Sequence, residues 1–213
     1  MLNGRVSHWW EEIGLPEPRQ QLRGHGSADV AIIGAGFTGL WTAYYLAKAN
    51  PELSITILEA RHAGYGASGR NGGWLTNTIT AGRERYLKSH GRQAVNDFQL
   101  AMNRTVAEVV EVCTAEGIDA DILQGGELEV AYTPAQERRL RADAVAAAQW
   151  QHSDTELLEA DAVRRKVNVA NARAGVWHPH AARIHPAKLV RGLAVAVERL
   201  GVTIHENTRA TEI

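Results

Sequence analysis

A four-residue apolar run that ends on a glycine, with two more glycines at fixed spacing behind it, leaves a chain few ways to fold. Val30-Ala31-Ile32-Ile33 leads directly into Gly34-Ala35-Gly36-Phe37-Thr38-Gly39. The run is short and β-branched, which predicts a buried parallel strand. A helical pattern follows from Thr38 to Ala49 and stops at Asn50-Pro51, because proline cannot continue a helix and biases the residue before it away from helical angles. Ser54–Leu58 alternates and is again β-branched, predicting a second strand. That strand ends at Glu59, about 20 residues past the third glycine. Strand, glycine turn, helix, strand and terminal acid thus occur in the order of a dinucleotide-binding βαβ unit, a far more specific signal than the glycines alone.

Each part of the pattern has a physical task. Gly34 permits the tight turn out of the strand, Gly36 lets a pyrophosphate approach the backbone, and Gly39 lets the helix pack closely on the strand. Phe37 and Thr38 open the helix, whose unpaired N–H groups and positive dipole end favour an anion. Glu59 stands where a carboxylate accepts hydrogen bonds from ribose hydroxyls and repels a 2′-phosphate, which disfavours an NADP-type ligand. Ala60 and Arg61, beside that acid, are counted with it as cofactor-binding.

The stretch from Glu59 to Gly73 shows no helix or strand period, and structureless loops of about that length are uncommon in compact domains unless functional or disordered. It holds Gly64, Gly66, Gly69, Gly72 and Gly73 together with Ser68, Arg70 and Asn71. Here the sequence resembles the FAD-dependent oxidoreductases of the D-amino-acid oxidase type, which include glycine, sarcosine and γ-glutamylputrescine oxidases. The resemblance is carried by DVAIIGAGFTGL, by Ile57–Ala60 and by GASGRNGG at Gly66–Gly73, the last being most like the γ-glutamylputrescine oxidase branch. It implies that Ala67, Ser68, Arg70, Asn71, Gly72 and Gly73 line the flavin site. The residues agree with this, since glycines permit close backbone approach and Arg70 would stabilise negative charge on a reduced flavin.

Composition narrows the remaining choices. The 213 residues are 45% hydrophobic and 22% charged with a formal net charge of −1, which fits a globular chain with a core and gives no electrostatic footprint for nucleic acid or an anionic membrane. Cys113 is the single cysteine, so no intrachain disulfide can form, and a cytoplasmic setting is expected. It lies on the apolar face of a predicted helix and reads as a buried, inert thiol. No apolar run before Ala28 is long enough for a signal peptide or membrane span.

Four segments are expected. Residues 1–28 form an N-terminal arm pinned by Trp9 and Trp10; 29–80 are the first part of an FAD-binding domain; 81–183 are part of a substrate domain; 184–213 return to the FAD-binding domain. Within the third, Val95, Phe98, Met102, Val106, Val109 and Cys113 recur at helical spacing over Gly91–Glu116, predicting one buried face. Glu127–Thr133 reads as a strand. Thr133-Pro134-Ala135-Gln136 then forms a capping box with Pro at the first helical position. A short helix is predicted over Glu156–Val167 and a strand over Ala172–Trp177. Pro186 opens an amphipathic helix closed by Gly201, and Thr203–His205 is a strand expected to rejoin the sheet of Val30–Ile33. The resemblance places the backbone near Ala210 against an adenine.

His178, His180 and His185 invite a metal reading, but no cysteine or carboxylate stands at ligand spacing in sequence beside them, and no metal site is expected. The fold class is therefore α/β: a Rossmann-like FAD/NAD(P)-binding βαβ domain with part of an inserted α+β substrate domain. The expected function is FAD-dependent oxidation of an amine or amino acid at its C–N bond, with hydride delivered to the flavin. The resemblance implies a longer whole, so this portion is expected to be inactive alone and to self-associate or need a second chain. No catalytic residue is assigned. The alternatives are an NAD-dependent dehydrogenase, against which the Gly66–Gly73 loop argues, and a non-catalytic dinucleotide-binding fragment.

Overall fold

The computed structural model describes Ser7 to Glu212. Met1–Val6, the start of the expected arm, and Ile213, the end of the expected return segment, lie outside the described residues. In chain order the elements begin with α1 (His8–Ile13), β1 (Val30–Ile33), α2 (Phe37–Ala49), β2 (Ile55–Leu58), a 3-10 turn (Ala67–Gly69) and β3 (Trp74–Thr76). Next come α3 (Arg83–Ala115), β4 (Leu123–Gln124), β5 (Glu127–Ala131), α4 (Pro134–Ala147), β6 (Glu156–Glu159) and α5 (Ala160–Lys166). The last elements are β7 (Ala174–His178), β8 (Ala181–Arg183), α6 (Pro186–Arg199) and β9 (Thr203–His205). No described helix is long and apolar enough to cross a membrane.

The chain divides into two compact units. The first comprises the described residues up to Gly73, Val112–Ile122, and those from Ile184 onward. Its sheet is parallel in the order β1-β2-β9, with Ile32 opposite Ile57 and Ile57 opposite Ile204. The strand after Gly201 therefore does enter the sheet of Val30–Ile33, on the far side of β2. Helix α6 buries Leu189, Val190, Leu193, Ala194, Ala196 and Val197 and packs on α2, which contributes Leu40, Ala43, Tyr44 and Ala47 to the same core. Fully burying a leucine or valine side chain contributes about 1.5–3 kcal/mol. Strand β1 departs from the expected buried strand. It pairs on one side only among the described residues, and Ile33 is 53% exposed.

The arm is not merely extended. Ser7 caps α1 by accepting from the Trp10 amide, and Trp10 is buried. Further along, Arg19 reaches Glu206, which is 0% exposed, and Glu198. Burial alone would lower the Arg19 pKa, but the two carboxylates outweigh it and hold the guanidinium above its ordinary range.

The second unit holds Trp74–Glu111 and Leu123–Arg183. It contains two antiparallel sheets, ordered β3-β8-β4 and β5-β7-β6. The expected capping box at Thr133 and Gln136 is present. The expected helix over Glu156–Val167 is corrected. Its first four residues form β6 against β7, with Leu158 buried, and only Ala160–Lys166 is helical. Backbone pairing with an existing strand outweighs a weak local helical preference. The face of α3 is also corrected. The helix starts at Arg83 and is broken at Gly91, and Phe98 is 38% exposed, edge-on to Tyr86. Asn96, Gln99 and Asn103 are buried along with Val95, Val106 and Val109. Two of these amides belong to a hydrogen-bonded network with Asn77, which is why polar side chains can occupy that face.

Cys113, at the end of α3, is 3% exposed, and burial pushes its thiol pKa up to about 11. At pH 8 only roughly one thiol in a thousand would be ionised. Folded protein is therefore expected to resist a disulfide-exchange reagent at that pH and to titrate one thiol once denatured; fast labelling of the folded chain would contradict this burial.

Candidate cofactor site

The site is built where the three parallel strands of the first unit end. Gly34 follows β1 with φ +97°, a left-handed conformation that favours glycine, and its N–H donates to the Leu58 carbonyl at the end of β2. Helix α2 starts three residues later. A Cβ on Gly39 would overlap the Gly34 carbonyl oxygen, so only glycine lets the first turn of α2 sit this close to the strand end. The amides of Gly36, Thr38 and Gly39 take no hydrogen-bond partner among the described residues. Unpaired donors at a helix N-terminus, approached over a glycine without a side chain, form an anion cradle. The Phe37 amide donates to Ser68 Oγ at 2.8 Å, so the distant loop caps the helix that carries the fingerprint.

Glu59 stands at the end of β2, beside this turn. Its Oε2 accepts from the Ala35 amide at 2.9 Å and its Oε1 from the Arg61 amide at 2.8 Å. Two backbone donors thus fix the carboxylate and leave a second lone pair on each oxygen for a ligand hydroxyl. The return segment holds the backbone around it: Thr208 donates to the Glu59 carbonyl and Asn207 to the Arg61 carbonyl. Ala60 is half-buried between them, and the Arg61 guanidinium lies over the Tyr65 ring. Ala210 is half-buried two residues past Thr208.

The loop residues singled out from the sequence form one compact turn. Ala67 and Ser68 lie in the 3-10 turn, and both their carbonyls accept from Asn71 Nδ2. Asn71 Oδ1 in turn accepts from the Gly73 amide. Gly73 exchanges backbone contact with Ile184, whose amide donates to its carbonyl at 2.8 Å. The Arg70 guanidinium lies 4.3 Å over the Tyr65 ring, and its buried Nε has no hydrogen-bond partner. Gly72 is exposed. The structure thus brings Gly34, Gly36, Phe37, Gly39, Glu59 and Ser68 around one turn, with Arg70, Asn71, Gly72 and Gly73 on the loop that continues it. The open cradle, the free helix-end amides and the orphaned Arg70 Nε fit a bound pyrophosphate-containing cofactor.

Sequence reading missed Glu206. Its carboxylate accepts from the Ala63 amide and from Arg19, tying the end of β9 to the start of the loop. Its signal was present: an acid at the end of a strand expected to join the sheet.

The second unit holds a cavity of about 370 Å³ lined by Asn77, Arg83, Gln99, Glu127, Glu129 and His178 among others. His178 Nε2 lies 3.1 Å from Glu127 Oε2, and His180 Nε2 lies 2.6 Å from Asp154 Oδ2. His185 caps α6 in the first unit, its Nδ1 accepting from the Lys188 amide. The three histidines therefore take separate partners.

Comparison with known proteins matches residues 29–213 to the family described as DAO, FAD dependent oxidoreductase. Gamma-glutamylputrescine oxidoreductase of Escherichia coli strain K12 is 32% identical over 187 residues, covering 88% of this chain and 43% of that protein. Probable oxidoreductase OrdL of Rhizobium meliloti strain 1021 is 29% identical over 208 residues, covering 96% and 48%. The chain spans about half the length of the curated relatives it matches. Among solved structures, glycine oxidase from Bacillus cereus superposes with a TM-score of 0.66 at 21% identity, covering 88% of this chain and 48% of that one, which is a likeness of fold.

The cradle gives a direct test. Gly36 has φ −88° and ψ −176°, a conformation open to any residue, but a Cβ there would stand 3.0 Å from Ser68 Oγ. Gly36→Val is expected to fold, shown by an unchanged circular dichroism spectrum, while its branched side chain displaces Ser68 and fills the cradle. FAD uptake by the folded variant equal to the parent's would place the phosphates elsewhere.

Proposed function

We propose a function from the premise that the chain belongs to the FAD dependent oxidoreductase family: it carries the FAD-binding portion of an enzyme that oxidises the carbon–nitrogen bond of a small amine or amino acid. FAD is the cofactor of that family, and bound FAD supplies a two-electron acceptor for a C–H bond next to an amine nitrogen. The observation that carries the reading is the pairing of free amides at the start of α2 with a fixed carboxylate, Glu59, at the end of β2.

In this reading Gly34, Gly36, Phe37, Thr38 and Gly39 receive the pyrophosphate, and Glu59, Ala60 and Arg61 the adenosine ribose. Ala67, Ser68, Arg70, Asn71, Gly72 and Gly73 border the flavin, and Ala210 lies toward the adenine. Arg70 brings a fixed positive charge to that border, which favours an electron-rich cofactor. The first unit is the cofactor-binding part and the second contributes to substrate binding. The substrate class is supported by the named activities of the E. coli relative and the Bacillus cereus glycine oxidase. Because the chain covers about half of such relatives, amine oxidation is proposed for the whole protein, with these 213 residues inactive alone and self-associating or completed by a second chain. The cytoplasm is the proposed compartment.

Titration of the chain with FAD, FMN and NADP separates this reading from its rivals. FAD is expected to bind in clear preference to both, and Glu59→Gln to weaken FAD by roughly 1.5–3 kcal/mol through loss of a charge-assisted acceptor. Equal affinity for FMN and FAD would refute the adenosine assignment. In the whole protein, anaerobic addition of an amine substrate is expected to bleach the flavin band, and bleaching by hydroxy acids but not by amines would overturn the substrate class.

A further inference from the structure

We propose that the segment ahead of the first strand is a working part of the cofactor site: Ser7, Trp9 and Arg19 are positioning residues that hold the backbone of the flavin loop in its FAD-receiving conformation. The proposal rests on the FAD reading above and extends it to residues outside the fingerprint and its loop.

Two side chains of the arm address the loop's main chain. Ser7 Oγ donates to the Gly69 carbonyl at 2.8 Å, while it also caps α1. Trp9 Nε1 donates to the Asn71 carbonyl at 2.8 Å. Trp10, 2% exposed, fills the space beside Gly69, where any Cβ would collide with its indole nitrogen. Its ring also meets His62 edge-on with centroids 5.0 Å apart. The arm thus reads the loop at residues 69 and 71 by hydrogen bonds and not by apolar packing alone.

The hydrogen bond to Asn71 fixes more than one atom. A trans peptide is planar, with its C=O and N–H on opposite sides, and there is no cis peptide bond among the described residues. With the Asn71 carbonyl turned to Trp9, the Gly72 N–H must point away from the arm. That N–H takes no partner among the described residues, and Gly72 is exposed. The arm therefore satisfies one side of this peptide and presents its donor on the other.

Arg19 supplies the third point. Its amide and guanidinium both donate to Glu206, at 2.9 and 3.0 Å, and Glu206 Oε1 also accepts from the Ala63 amide at 2.9 Å. The arm thereby grips the loop at its start through Glu206 and near its end through Ser7 and Trp9. An arm serving only to cover apolar surface would need none of these carbonyl and carboxylate contacts.

Coupling of this kind is reciprocal: if arm docking favours the FAD-receiving loop, FAD must favour arm docking by the same factor. The test uses the full chain and two substitutions, Trp9→Phe, which keeps a ring but removes the donor, and Arg19→Lys, which keeps the charge but loses the fork. FAD affinity is read from quenching of flavin fluorescence, and backbone hydrogen exchange in α1 is followed with and without FAD. Trp9→Phe is expected to weaken FAD about fivefold, the effect of one net hydrogen bond, with the circular dichroism spectrum of the FAD-free chain unchanged. Arg19→Lys is expected to act in the same direction, and FAD to slow α1 exchange several-fold in the parent. Parental FAD affinity in both variants, with α1 exchange indifferent to FAD, would overturn the arm's positioning role alone. So would a loss of affinity in Trp9→Phe accompanied by loss of the folded circular dichroism spectrum of the FAD-free chain, since the arm's role would then be structural. A parent chain that takes up no FAD while its arm is protected from exchange would overturn the cofactor reading and the arm's positioning role with it.

Discussion

A carboxylate with no access to water must be met by donors, and Glu206 is the place in this chain where that demand organises its surroundings. The side chain is fully buried, yet it accepts from the Arg19 amide, the Arg19 guanidinium and the Ala63 amide. Removing one partner of such a set leaves an uncompensated buried charge, costing about 3–5 kcal/mol. The three donors come from the arm and from the loop, and the acceptor comes from the end of β9. One side chain thus makes the positions of three separated segments conditional on each other. The arrangement also explains why Arg19, with Glu198 on its other edge, is not free to leave.

Glu59 and Glu206 occupy matching places, since Leu58 and His205 are partners in the β2–β9 register and each acid follows directly. Their surroundings differ. Glu59 is half-exposed and held by two neutral backbone donors, which orient it without neutralising it or filling all its lone pairs. Glu206 is buried and paired with a guanidinium, so its charge is spent inside the fold. The same residue type at two neighbouring strand ends is left with open lone pairs in one case and spent on assembly in the other, and burial with a cationic partner decides which.

The glycine turn and the acid beside it were legible in the sequence because their physics is local. A left-handed Gly34, a Gly39 that admits no Cβ, and an acid at the second strand's end depend on residues within one βαβ unit, and spacing alone predicts them. The capping box at Thr133 and the start of the last helix at Pro186 were legible for the same reason. What was not legible depends on partners far along the chain. Nothing around Glu156 announces that β7 will recruit it as a strand. Phe98 matches helical spacing as well as Val95 does, and only the placement of Tyr86 and the buried amides turns it outward. The arm's helix is six residues long, too short to stand by propensity, and its hydrogen bonds to the loop cross 62 positions of sequence.

Among the amides buried on this face of α3, Asn103 shows how a helix can bury a polar group with its hydrogen bonds satisfied, whereas Asn96 Oδ1 is buried without a partner among the described residues. Asn103 Oδ1 accepts from Asn77 Nδ2 and Gln99 Nε2, while its Nδ2 donates to the His152 carbonyl and Asp154 Oδ2. All four of its hydrogen-bonding positions are used. The two residues it holds, His152 and Asp154, have φ of 60° and 47°, left-handed conformations that cost a non-glycine residue energy. A leucine at 103 would suit the helical stripe better, but it would orphan the His152 carbonyl and release the turn. Asp154 would also lose a donor, leaving His180 its remaining partner in this group. Gln99 continues the chain by accepting from Arg83 and donating to the Asn77 carbonyl, and Asn77, Arg83 and Gln99 line the cavity of the second unit. The shape of that cavity is therefore set by directional hydrogen bonds, which allow one arrangement of its wall where apolar contacts would tolerate several.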